Sequence, residues 1–194
     1  QQISAALDSD IARRARNDGD VDRALTNVAV FEREYEVPYL AHATMEPLNA
    51  VAWLNGERLD IWAGNQWPTS ARLDSADLAG VPPEAVHVHT TYMGGGFGRR
   101  LETDFIKVAV EAARAMAGVP VKVTWSREED MTHDAYRPMA KSRCRAALAG
   151  NKPSALDIQL ASLPLFSSHD YRSLGTYTDR PDVSISWGAG VQPY

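Results

Sequence analysis

Val86-His87-Val88-His89-Thr90-Thr91-Tyr92-Met93-Gly94-Gly95-Gly96-Phe97-Gly98-Arg99-Arg100-Leu101-Glu102-Thr103-Asp104 runs from strand-like alternation, through three consecutive glycines, to the start of a helix. The helix expected over Asp104–Met116 is the clearest in the chain. Phe105, Val108, Ala109, Ala112 and Ala115 recur on one side, and Gly118 closes it. A glycine triplet costs backbone entropy, so it belongs where the chain must adopt positive φ or let another group come close. Successive backbone N–H groups in such a loop make an anion-binding concavity, and a following helix start adds partial positive charge. Arg99 and Arg100 bring guanidinium donors suited to phosphate-like oxygens. The loop lacks Gly-Lys-Ser/Thr, and its glycine spacing is wrong for G-x-G-x-x-G, so the two common nucleotide fingerprints are excluded. Two readings stand on spacing alone: an anion or phosphate loop spanning Gly94–Arg100, and a tight strand-to-helix turn with solvated arginines.

Outward from this stretch, Val51–Leu54 and Leu59–Ala63 flank Asn55-Gly56, a strong hairpin signal in which both residues tolerate φ > 0. Pro68 opens a helix that ends at Gly80. Val28–Val37 alternates as a strand with one wet face, and Val121–Trp125 is a short strand after Pro120. Lys141–Leu148 and Ala155–Leu163 form a second strand pair around Gly150-Asn151. Ile3, Leu7, Ile11 and Ala15 predict a first helix to Arg16, stopped by Asn17-Asp18-Gly19-Asp20, which caps a short second helix through Leu25. The last 30 residues, with Asp170, Asp179, Pro181 and Asp182, read as irregular. Strands and helices mix without βαβ alternation, so the fold class expected is α+β, a mixed sheet with helices packed on it. The organisation expected is a helical lead-in over 1–28, a central region over 29–150, and a strand with an irregular tail over 151–194.

With 194 residues the chain can build a real core. At 44% hydrophobic and 23% charged it has a globular composition. A net charge of −5 carries no broad nucleic-acid footprint. One cysteine, Cys144, excludes an internal disulfide framework, and an iron–sulfur cluster or four-cysteine zinc site built from this chain alone. Both ends read as cuts in something longer.

Further side chains invite chemistry, and each has a plain alternative. His87 and His89 share a strand face at i, i+2 with no third ligand near in sequence, and read as structural. His42 reads as packing or hydrogen bonding rather than a base. Glu46 is either a turn-stabilising acceptor or a buried, paired carboxylate. Arg127-Glu128-Glu129-Asp130 reads as a solvated helix start. His133 and Asp134 could pair to fix Arg137, and Cys144 reads as a small buried hydrophobe. Trp53, Trp62, Trp67, Trp125 and Trp187 are many for this size. If they pack domain on domain in a larger protein, the piece alone would self-associate through exposed apolar patches, and a clean monomer in sedimentation would refute that.

Gly94-Gly95-Gly96-Phe97-Gly98 resembles the signature of the molybdenum hydroxylases, the xanthine dehydrogenase and aldehyde oxidase family. Four more segments fit in order: Leu40-Ala41-His42-Ala43-Thr44-Met45-Glu46-Pro47; Ile61-Trp62-Ala63-Gly64-Asn65-Gln66-Trp67-Pro68, with Asn65 in place of the usual threonine; Val121 through Asp130; and His133-Asp134-Ala135-Tyr136-Arg137-Pro138. The paired arginines and the last string are similar to the subgroup of the isoquinoline 1-oxidoreductase large subunit. The resemblance covers about residues 20–150 and implies the first cofactor-binding region of a molybdopterin-binding subunit. It implies that the Gln66 amide contacts an oxo ligand of molybdenum, and that Gly94, Gly95, Gly96, Phe97 and Gly98 offer backbone donors and close approach to the cofactor. Arg99 and Arg100 would sit near the pterin phosphate or shape the substrate funnel. Leu101 stands where purine oxidisers carry a substrate-binding glutamate, which favours a less polar heterocycle or an aldehyde.

The implied cofactor is molybdenum–molybdopterin, in the cytosine dinucleotide form, with no protein ligand to the metal. The implied partners are an iron–sulfur small subunit and the remainder of the large subunit. The family's glutamate base lies in a Gly-Val-Gly-Glu-like segment that this chain lacks, so the piece alone is expected to be inactive. A periplasmic or membrane-associated setting fits the subgroup, with a cytoplasmic one as the alternative. The competing reading is a non-enzymatic phosphate- or nucleotide-binding module built on Gly94–Arg100.

Overall fold

The structure, a computed structural model, describes residues 2–8, 16 and 18–162. They fall into two units: one drawn from the chain up to Leu40 and from Arg137 onward, the other spanning Ala41–Tyr136. The boundaries differ from those expected at 28/29 and 150/151 because β1 (Val30–Val37) pairs with β6 (Ala140–Ala149), more than 100 residues later. The first unit is therefore built from two stretches of chain, and the second, Ala41–Tyr136, is one continuous stretch between them in sequence.

The first unit holds an antiparallel sheet in the order β1-β6-β7, with β7 at Lys152–Ser162. Helix α1 (Gln2–Leu7) packs against β6 and β7, and α2 (Val21–Ala24) against β7. Asp20 caps α2 through its carboxylate and the Arg23 N–H. The first expected helix ends sooner than Arg16, since Asp8 is already a turn and Arg16 is non-helical; residues 9–15 lie outside the described residues, as do the irregular tail and Trp187. Register places Glu34, Arg143, Lys141, Arg145 and Asp157 on one face, where they form a ladder of ion pairs. The other face carries Phe31, Tyr35, Val37, Leu156, Ile158 and Leu160, all exposed. The strand expected to have one wet face is thus exposed along its whole length, because β1 is an edge strand with a single neighbour. Cys144 shares the apolar face and is half-buried rather than buried.

The second unit is a mixed four-stranded sheet ordered β4-β3-β2-β5, formed by β2 (Asn49–Asn55), β3 (Arg58–Ala63), β4 (Val86–Thr90) and β5 (Val121–Thr124). β2 runs antiparallel to β3 and β5, whereas β3 and β4 are parallel. Parallel neighbours need a crossover, and α3 (Pro68–Ala79) supplies it, ending at left-handed Gly80. The hairpin forms where Asn-Gly predicts it, but only Gly56 has positive φ. Asn55 stays in register opposite Arg58, so the two-residue loop is Gly56-Glu57.

Alternation decides the faces. Ala50, Ala52, Leu59, Ile61 and Val86 point into the core with Leu48, each at most 4% exposed. Helix α4 (Asp104–Ala115) closes over them with Phe105, Ile106, Ala109, Val110 and Ala113, all fully buried. The buried stripe is rotated from the one expected: Val108 is exposed, and Ile106 and Val110 go inside. Those bulkier side chains remove more apolar area from water than Ala112 or Ala115 would, at about 25 cal/mol per Å2. This core fixes the ends of β3, β4 and α4, between which the glycine loop hangs.

Candidate functional site

The loop site lies wholly in the second unit. After β4, the chain turns back so that Gly94 pairs with Glu46: the Glu46 N–H donates to Gly94 O, and the Gly94 N–H donates to Glu46 Oε2 at 2.8 Å. Close approach explains two of the glycines. A β-carbon at Gly94 would stand 2.6 Å from Glu46 Cβ, and one at Gly96 would stand 2.6 Å from Gln66 Oε1. Gly95 and Gly98 have φ of +102°, which only glycine adopts cheaply. Phe97 has φ +54° and is exposed.

Gln66 reaches the loop from the turn between β3 and α3. Its backbone N–H donates to Arg100 O at 2.9 Å, and its Oε1 accepts the Gly98 N–H at 3.1 Å. Because an N–H faces the oxygen, the amide nitrogen is the free end, and it has no partner among the described residues. The N–H groups of Gly95, Gly96 and Phe97 likewise donate to nothing among the described residues. Three successive unpaired backbone donors and one side-chain amide therefore stand at one loop, a donor set suited to an oxygen-rich or anionic molecule. Beneath it, buried Asn65 Oδ1 also lacks a partner. Among the described residues no cluster of His, Cys, Asp and Glu could hold a metal ion directly, and no helix is long and apolar enough to cross a membrane.

The arginines do not extend this donor set. Arg99 and Arg100 are 2% and 1% exposed, neither solvated nor turned to a ligand. Arg100 donates to Gly95 O, Gly64 O and Glu46 O, and pairs with the Glu46 carboxylate at 2.9 Å. Arg99 forks onto Asp104 at 2.9 and 2.6 Å and lies over the Trp125 ring. Burial would strip either cation of water, so internal oxygens replace that hydration. Burial holds Arg100 below its ordinary pKa, whereas for Arg99 the Asp104 fork outweighs burial and the shift is upward. Their work is to hold the loop. Leu101, half-buried, sits on the single 3-10 turn Arg99–Leu101 that leads toward α4.

Other residues resolve in the same way. Glu46 is both paired and turn-stabilising, accepting also from Asn49. Arg127 turns inward to Thr44 O, Met45 O and Asp130, while Glu128 and Glu129 stay exposed at the start of α5 (Arg127–Thr132). Asp134 pairs with His42 and Arg99 rather than His133. That cluster was missed because its members lie far apart in sequence. Its only local sign is a histidine four residues before Glu46. His89 Nε2 donates to the Asp60 carboxylate at 2.8 Å, and the ring stacks on Trp62, as a structural histidine would.

Burial raises the pKa of Glu46, but the Gly94 N–H, Asn49 and Arg100 outweigh it and the net shift is down. A carboxylate depressed in the folded state contributes stability above its unfolded value, which is lost as pH falls through the folded one. Wild type is therefore expected to melt above Glu46→Gln near neutral pH, and the gap to close as pH drops below the ordinary value of 4.5. A gap in melting temperature that stays constant from pH 6 to 2.5 would contradict this.

The family model of the molybdopterin cofactor-binding domain matches residues 5–162, and the chain belongs to that family. Among curated relatives, it is 36% identical over 148 residues to the membrane-bound aldehyde dehydrogenase [pyrroloquinoline-quinone] of Gluconacetobacter polyoxogenes, covering 75% of this chain and 19% of that one. It is 37% identical over 119 residues to isoquinoline 1-oxidoreductase subunit beta of Brevundimonas diminuta, covering 61% and 15%. Among solved structures, quinoline 2-oxidoreductase from Pseudomonas putida 86 superposes with a TM-score of 0.60 at 21% identity, over 73% of this chain and 18% of that one, which shows a common fold. The chain thus spans less than one fifth of the length of the relatives it matches.

Proposed function

We propose that this chain is the first cofactor-binding part of a molybdenum hydroxylase large subunit, and that its loop receives the oxygen-bearing face of a molybdopterin cofactor. The observation that carries this reading is the row of unpaired N–H groups at Gly95, Gly96 and Phe97 beside the free Gln66 amide. The bound cofactor would supply two-electron redox chemistry and an activated oxygen from water. The residues of this chain would position it: Gln66 and the loop amides donate to oxygen, Gly96 admits the Gln66 carboxamide, and Arg100 and Glu46 hold the loop's curvature. Phe97, exposed at the rim, and Leu101 would offer an apolar border to substrate.

The full enzyme would hydroxylate an aromatic N-heterocycle or an aldehyde and pass electrons to an iron–sulfur subunit, with the cofactor as the cytosine dinucleotide. The names of the relatives support that substrate range, and one of them is membrane-bound by name, in keeping with a periplasmic or membrane-associated setting. The catalytic base would come from elsewhere in the large subunit, which leaves this piece inactive alone. The phosphate-module alternative loses ground because both guanidiniums it needs are spent inside.

Metal and pterin analysis of the full polypeptide, purified with its partner from molybdate-supplied cells, tests the reading. About one molybdenum and one pterin per chain is the expected result, reduced tenfold or more in Gln66→Ala. Protein that is folded, free of molybdenum and pterin, and binds inorganic phosphate at the loop would overturn it.

A further inference from the structure

His42 borders the loop site without a role in it so far. Its backbone N–H donates to Asp134 Oδ2 at 2.5 Å, and its ring Nδ1 lies 2.9 Å from Asp134 Oδ1. The Asp134 side chain is 2% exposed, and its Oδ1 also sits 3.0 Å from Arg99 Nε. That Arg99 contact is an ion pair without hydrogen-bond alignment, since Nε itself has no hydrogen-bond partner. A carboxylate placed against a guanidinium remains an acceptor, so the imidazole nitrogen facing it carries the proton. In the neutral ring the lone pair then belongs to Nε2.

Nε2 has no hydrogen-bond partner among the described residues. Apart from Gly98 and its chain neighbours, it is the one heavy atom among the described residues within 4 Å of the point a β-carbon on Gly98 would occupy, at 3.9 Å. That point is at ordinary van der Waals distance from the ring, so His42 borders the loop at Gly98. Gly98 is flanked by two polar side chains, Gln66 through its N–H and His42 across its α-carbon. A second, independent observation concerns the backbone. Ala43, next to His42, has φ +44°, and Phe97, next to Gly98, has φ +54°. Left-handed non-glycine residues are strained and persist where the surrounding fold enforces a particular aim. Here two of them adjoin the two residues that face each other.

We propose that His42 is a ligand-contacting residue of the loop site, whose Nε2 accepts a hydrogen bond from an N–H or O–H group of the molecule lying against Gly96–Gly98. Asp134 fixes the tautomer and Arg99 steadies Asp134. The inference rests on the loop being a binding site. The donor group has two sources, the N–H-rich pterin of the cofactor and a hydroxyl or ring N–H of the substrate.

Two shortened mimics of histidine separate this role from a structural one. His42→Asn keeps an amide near the Nδ1 position, able to meet Asp134, and places nothing at Nε2. His42→Gln places an amide near Nε2 and gives up Nδ1. Both are made in the full holoenzyme, with circular dichroism melts alongside molybdenum content, pterin fluorescence after oxidative release, and the KM and kcat of a heterocyclic or aldehyde substrate. The expected result is a loss in the Asn variant of about tenfold or more, with recovery to within about fivefold in the Gln variant. If the loss is in pterin and molybdenum content, the donor is the cofactor. If content is unchanged and KM rises while kcat holds, the donor is the substrate. An Asn variant that unfolds, or one that matches wild type in content and KM, overturns the proposal, as does a Gln variant that is no better than Asn. Wild type without molybdenum would instead overturn the loop-site reading, and this inference with it.

Discussion

Gly96→Ala is expected to empty the loop of its cofactor while leaving the fold almost untouched. The added β-carbon would lie 2.6 Å from Gln66 Oε1 and 3.0 Å from Gln66 Cδ, closer than atoms can stand. The carboxamide is the far end of an exposed, flexible side chain, so it moves and the backbone does not. That motion breaks the Gly98 N–H to Oε1 bond and swings the free amide away from the three unpaired loop N–H groups. The fold should lose no more than about 1 kcal/mol, the net worth of one partly exposed hydrogen bond. Cofactor content should fall at least tenfold, since both the donor set and the space it encloses change. Molybdenum per chain and a thermal melt on the same sample check both halves. Full loading, or a collapse in melting temperature, would contradict the argument.

Arg100→Ala is expected to produce the opposite pattern, a loss of the fold itself. Truncation leaves the Gly95 and Gly64 carbonyls without this donor, the Glu46 carbonyl with the Thr44 hydroxyl alone, and the Glu46 carboxylate without its paired guanidinium. Removing one partner of a buried charged network costs about 3–5 kcal/mol, a large part of the 5–15 kcal/mol that holds a typical domain together. Arg100→Lys should recover only part of this, because an ammonium on a flexible stem cannot meet four oxygens in the planar fork geometry. Denaturant titration of the full polypeptide measures both variants. An Arg100→Ala midpoint within experimental scatter of wild type would show that the guanidinium is dispensable.

What the sequence disclosed and what it hid divide along a physical line. Local chemistry was legible: the strand–glycine–helix run, the Asn-Gly hairpin, the Gly80 stop and the Asp20 cap all depend on neighbours within a few positions. The nearness of Gln66 to the glycines was implied by the family resemblance, and Gln66 Oε1 does meet the Gly98 N–H and lie against Gly96. The fate of the charges was not legible. Arg99 and Arg100 looked like ligand donors because guanidiniums suit phosphate-like oxygens, yet apart from Asp104 and Gly95 nearby, their partners come from residues 46, 64 and 134, which no local pattern links. The rotated face of α4 has a similar cause. Spacing allowed two stripes, and only the bulk of Ile106 and Val110 against Leu59 and Ile61 selects between them. The pairing of β1 with β6, which moves the unit boundaries, is a tertiary choice of the same kind.

The bonds that shape the loop come from four stretches remote in sequence: Thr44–Glu46, Gly64–Gln66, Gly94–Arg100 and Arg127. A molecule held there would be gripped by the free ends of β3, β4 and α3 together, so its departure releases several elements at once. Retention of the occupant and mechanical endurance of the domain then become one quantity. Such a polypeptide would be assembled around its guest once and rarely exchange it, and a cell short of that guest would see the empty protein first as a substrate for its proteases.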